Sequence, residues 1–148
     1  MELADILGPD AVIADMRASS KKQALLEVAQ RASTVTGLHE RAIFDVLLER
    51  ERLGSTGLGG GIAIPHGKMS GLGRLYGVFA RLAAPIDFEA IDARPVDLML
   101  VLLAPESAAD AGYRAALNGD SARHTVMTDA ISGRPARSVR SRFTDWAS

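Results

Sequence analysis

A histidine held between a proline and a glycine is the residue of this sequence best placed to do chemistry. His66 lies in the run Ile62-Ala63-Ile64-Pro65-His66-Gly67-Lys68, at the end of a short apolar strand. Pro65 limits the local backbone, and Gly67 lets a phosphate or another chain approach closely. A neutral imidazole is a competent nucleophile near neutral pH when an acceptor holds its second nitrogen. Phosphoryl transfer onto such a ring needs donors around three equatorial oxygens more than it needs acid–base chemistry. Amides of the preceding glycine loop and the guanidinium of Arg50 can supply them. Each residue also has an ordinary explanation: His66 as a loop residue, Arg50 as a helix-end charge favoured by the dipole, Lys68 as an exposed cation.

Other phosphate motifs fail by counting. A Walker loop needs four residues between its glycine and its Gly-Lys, then Ser or Thr; here five separate Gly61 from Gly67, and Met69 follows Lys68. The dinucleotide fingerprint lacks its third glycine, since Gly57-Leu58-Gly59 leads to Ile62 and Gly59-Gly60-Gly61 to Ile64. His39, His66 and His124 are scattered without ligand spacing, so neither metal nor cofactor is expected.

The elements that must position His66 follow from periodicity. Ser19-Ser20 offers an N-cap for a first helix in which Leu25, Val28, Ala29, Ala32 and Val35 recur at helical spacing, with Gly37 as the stop. A second helix is expected over 39–52, burying Ile43, Val46 and Leu47 and pairing Arg41 with Asp45 on its wet side. A loop follows, with six glycines in the fourteen residues 54–67. Strands are expected over 75–82 and 96–103, the second apolar on both faces and so interior. Residues 85–88 and 93–95 read as turns and a short edge piece, and residues 109–117 as a last short helix. The order supports an α/β fold in which a mixed β-sheet is sandwiched between helices.

Composition sets the outer limits. The 148 residues, 47% hydrophobic, suit one compact domain. Seventeen basic against eighteen acidic residues argue against binding nucleic acid or an anionic membrane by bulk charge. Without cysteine there is neither a disulfide framework nor a thiolate metal site. Acidic residues near the first methionine do not fit a signal peptide, and the apolar run 98–104 is far short of the ~20 residues a membrane span needs. A cytoplasmic protein without membrane insertion is the expectation.

The strings Leu53-Gly54-Ser55-Thr56-Gly57 and Gly61-Ile62-Ala63-Ile64-Pro65-His66-Gly67-Lys68 resemble the active-site signature of the nitrogen-regulatory (PtsN) branch of the mannitol/fructose enzyme IIA family of the bacterial phosphotransferase system. The likeness continues through Ala84-Pro85-Ile86-Asp87-Phe88, residues 92–98 and Leu102-Leu103-Ala104-Pro105, and so covers residues 1–106. It implies a domain over 1–106 and a phosphocarrier in which His66 is phosphorylated by an HPr-like protein. Arg50 stands beside it, and Ser55, Thr56, Gly67 and Lys68 form the phosphate environment. It also implies regulatory target proteins, with an output in nitrogen and carbon supply or potassium balance; the sequence has no sugar-permease segment.

The segment 107–148 is atypical of that family. A second histidine that some members place near the active one is absent, and Tyr113 stands roughly at its position. Residues 113–139 are similar to part of the nitronate monooxygenases, flavin-dependent barrels. Some forty residues cannot form a barrel of ~250, so flavin binding is not inferred. Two rival readings follow: an interaction module that no longer accepts phosphate, and, from the tail alone, a flavin-associated oxidoreductase fragment.

Overall fold

A computed structural model of the protein describes residue 7 and residues 9–106. The segment 107–148, with the expected helix over 109–117 and Tyr113, lies outside the described residues.

Local signals start and stop the two helices. Helix α1 (Lys21–Thr36) begins at Ser20, whose hydroxyl accepts from the Gln23 N–H at 3.1 Å. It ends at Gly37, where a φ of +80° suits a residue without a Cβ and the N–H donates to the Ser33 carbonyl at 2.9 Å. Its stripe Ala24, Leu25, Val28, Ala29 and Ala32 is fully buried. Helix α2 (Glu40–Arg52) begins at His39, whose Nδ1 accepts from the Arg41 N–H at 3.1 Å. It buries Ile43, Phe44 and Leu47, and Arg41 pairs with Asp45 at 3.2 Å as expected. Val46 is only half-buried, because it sits at the margin of the stripe.

The strands build one six-stranded mixed sheet of order β1-β5-β6-β3-β2, with β4 also on β6. Strand β1 is Val12–Met16, β2 Gly57–Gly59, β3 Ile62–Ala63, β4 His66–Met69, β5 Tyr76–Ile86 and β6 Val96–Pro105. The glycine-rich stretch, expected to be a loop apart from the short apolar strand before His66, contains β2 and β3 and runs into β4. Positive φ at Gly59, Gly60 and Gly61 (+97°, +66° and +83°) closes the β2–β3 hairpin.

Strands β3 and β4 then lie end to end along one side of β6, both parallel to it. The register is Ile62↔Leu98 and Ala63↔Met99, then His66↔Leu102 to Met69↔Pro105. The break falls at Ile64-Pro65. Pro65 has no N–H to give, but its carbonyl accepts from the Leu102 N–H at 3.0 Å and holds the register across the gap. On the other side of β6, β5 runs antiparallel and continues past the expected end to Ile86, after an irregularity between Arg81 and Ile86 that accommodates Pro85. Phe88, expected in a turn or edge piece, is fully buried.

Alternation along β6 divides the core. Val96, Met99, Val101 and Leu103 join the cluster formed with α1 and α2, while Leu98, Leu100, Leu102 and Ala104 join Ile62, Ile64, Leu75 and Phe79. The expectation that both faces of this strand are buried holds.

Candidate functional site

The register places His66 at the first position of β4, on the same face as Leu102, with Lys68 following it over Ala104. Gly67 and Met69 face the helices. The C-terminal turn of α2 packs against β4 and brings Arg50 to the histidine.

The hydrogen bonds fix which nitrogen carries the proton. His66 Nδ1 lies 2.9 Å from the Ile64 carbonyl oxygen, which can only accept, so the proton is on Nδ1. Nε2 keeps its lone pair and accepts from Arg50 Nε–H at 3.2 Å. Arg50 is itself steadied by donating from Nη1 to the Gly54 carbonyl at 2.8 Å. Burial foremost, with help from the Arg50 charge, holds the His66 pKa below its usual range; the Ile64 bond and the Glu51 charge oppose this. The ring is neutral at pH 7 and presents a basic nitrogen to a guanidinium.

The other residues expected around a phosphate have the following surroundings. The Ser55 hydroxyl donates to the Phe88 carbonyl at 2.9 Å and accepts from the Gly57 N–H at 3.0 Å. Thr56 is buried, and its hydroxyl lies 2.7 Å from Glu51 Oε1. Gly67 permits a close approach, but the approaching group is the protein's own: a Cβ there would collide with Val46 Cγ1 on α2. Lys68 is exposed.

The turn Gly59–Gly61 is remote from His66. Their flanking strands meet β6 four residues apart, about 13 Å at the rise of a strand. Its Gly60 N–H donates to Asp92 Oδ2 at 2.9 Å, and this bond is the main reason that the Asp92 carboxyl is held below its usual range. The Gly60 amide thus ties the hairpin to the connection between β5 and β6.

The sequence reading passed over Glu51. It stands on the buried stripe of α2, four residues after Leu47 and eight after Ile43, and a carboxylate in that register was the available signal.

Over residues 5–118 the sequence matches the family described as phosphoenolpyruvate-dependent sugar phosphotransferase system, EIIA 2. The chain belongs to this family. A nitrogen regulatory protein of Bradyrhizobium diazoefficiens is 53% identical over 108 residues, 73% of this EIIA 2 chain and 71% of that protein. The crystal structure of the nitrogen regulatory protein IIA-Ntr from Neisseria meningitidis superposes with a TM-score of 0.82 at 34% identity, covering 95% of this chain and 98% of that one. Enzyme IIAMTL of Escherichia coli, in its complex with phosphorylated enzyme IIBMTL, shares the fold with a TM-score of 0.72 at 17% identity, covering 94% and 97%. The mixed α/β architecture is that of enzyme IIA, and the chain is a component of a phosphotransferase system. No helix among the described residues is long and apolar enough to cross a membrane.

Proposed function

We propose that this enzyme IIA is a regulatory phosphocarrier that takes a phosphoryl group onto Nε2 of His66 from a phosphorylated HPr-like protein. The observation that carries the proposal is the pair of bonds on one ring: Nδ1–H held by the Ile64 carbonyl, and Nε2 facing Arg50. In the transfer, the Nε2 lone pair forms the new N–P bond as the donor's P–N bond breaks and its electron pair returns to the donor ring. His66 keeps its Nδ1 proton, so the phosphorylated ring is cationic and its bond to Ile64 becomes charge-assisted. Arg50 gives up Nε2 and turns its planar fork to the phosphoryl oxygens, where negative charge is greatest.

The relatives named nitrogen regulatory proteins support a regulatory output. In the proposed role it is read by target proteins that distinguish the phosphorylated from the free chain, in nitrogen and carbon or potassium metabolism. The test is incubation with enzyme I, the HPr-like carrier and phosphoenolpyruvate, followed by intact mass. The expected result is the gain of one acid-labile phosphoryl group that requires the carrier. A protein that stays at its starting mass under conditions that charge the carrier would refute the proposal.

A further inference from the structure

Glu51 is adjacent to Arg50 in sequence but turns into the protein, where its side chain is 3% exposed. Its carboxylate accepts from the Thr56 N–H, at 2.5 Å to Oε1 and 3.0 Å to Oε2, and from the Thr56 hydroxyl at 2.7 Å. Lys21, the first residue of α1, reaches Oε2 at 3.7 Å and lies 5.0 Å from the centroid of the buried Phe88 ring. A buried ion pair of this kind is a weak source of stability, because desolvation takes back most of the attraction and apolar replacements are often neutral. Its place in the hydrogen-bond order suggests a different use.

Thr56 does not end the chain of bonds. Its carbonyl accepts from the Ile64 N–H at 3.0 Å, and the Ile64 carbonyl accepts from His66 Nδ1–H at 2.9 Å. The Ile64–Pro65 peptide, whose carbonyl determines the histidine tautomer, is thus flanked by a peptide held by Thr56 on one side and, through the Leu102 N–H on the Pro65 carbonyl, by a peptide held by β6 on the other. Glu51 is the one charged acceptor along this path, and Lys21 anchors it to a separate helix.

We propose that Glu51 is a positioning residue for phosphoryl transfer at His66, holding Thr56 and through it the Ile64 carbonyl that keeps the ring's proton on Nδ1. The proposal rests on the carrier reading above. Glu51 acts at a distance, and its charge also favours the cationic ring that transfer creates, in the same direction as its upward pull on the His66 pKa.

The test uses the full chain and two readouts. Imidazole 15N chemical shifts of the unphosphorylated protein report the tautomer, and rapid-quench transfer from the phosphorylated HPr-like carrier reports the rate. Glu51→Gln keeps the shape and removes the charge. It is expected to mix the His66 tautomers and to slow transfer about tenfold, the scale of weakening one charge-assisted bond. Thr56→Val is expected to move both readouts the same way, with Thr56→Ser recovering much of the loss.

A folded Glu51→Gln with the wild-type tautomer and the wild-type rate would overturn the proposal. If Glu51→Gln does not fold, Thr56→Val decides alone: unchanged tautomer and rate overturn the proposal, a mixed tautomer with slow transfer supports it. Wild-type protein that takes no phosphoryl group would refute the carrier reading separately, and the tautomer comparison would still decide the positioning role.

Discussion

Replacing Gly67 by alanine separates two uses of the glycine beside His66. The added methyl would meet Val46 Cγ1, well inside van der Waals contact. Neither side yields easily. Gly67 is paired with Leu103 in the β4–β6 ladder, and Val46 on α2 has a β-branched side chain with one strongly preferred rotamer in a helix. Forcing a methyl into such a site costs typically about 1–3 kcal/mol. Val46→Ala removes the colliding atom and costs about 1 kcal/mol for the lost burial of two methyl carbons at a half-buried position. The double variant should therefore be more stable than the sum of the single effects by about 1–2 kcal/mol, well outside the ~0.5 kcal/mol within which independent sites add. Urea unfolding of the four proteins, compared at constant slope, measures this coupling. Additive effects would refute the packing explanation. A stable double variant that no longer takes up phosphate would show that Gly67 also serves the approach of the phosphate or its donor.

Three further outcomes follow from the same geometry. Arg50→Lys should leave the fold intact and slow phosphoryl transfer about tenfold or more, because an ammonium cannot reproduce the planar fork; unchanged rapid-quench kinetics would reduce Arg50 to a helix-end charge. The His66 titration followed by NMR should have its midpoint below the usual imidazole value of about 6.5, and a midpoint at or above that value would contradict the burial argument. Since the folded pKa is the lower one, the unfolded chain binds more protons between the two values; the stability from the neutral buried ring is present above about pH 6.5 and is lost as pH falls through the folded value, which denaturation midpoints of wild type and His66→Ala across that window would reveal.

The pairing of His66 with Arg50 was legible because both stand out by identity and setting: a histidine between Pro65 and Gly67, and an arginine in the last turn of a well-marked helix. The helices were legible for a similar reason, since Ser20, Gly37 and the stripe from Ala24 to Ala32 are local signals. Strand β3 was legible as the short apolar strand before Pro65, but β2 and β4 were hidden. They are three and four residues long, and β6, thirty or more residues later, is what gives β3 and β4 their partner. The same non-local pairing shows why the hairpin glycines lie far from His66 although they precede it closely in sequence. Ser55 and Thr56 were expected in the phosphate environment by resemblance; their hydrogen-bond partners Phe88 and Glu51 are set by tertiary packing and could not be read from the sequence. Phe88 itself sat among turn residues that gave no hint of its burial.

The proposed phosphocarrier holds its phosphoryl group on Nε2 of His66. Combined 31P and 15N NMR of the protein charged through enzyme I and the HPr-like carrier identifies both the residue and the ring nitrogen. The expected result is a single phosphohistidine, bonded at Nε2 with the proton retained on Nδ1, and no such signal from a folded His66→Ala. Phosphate on Nδ1, phosphate on any other residue, or uptake by His66→Ala would contradict it.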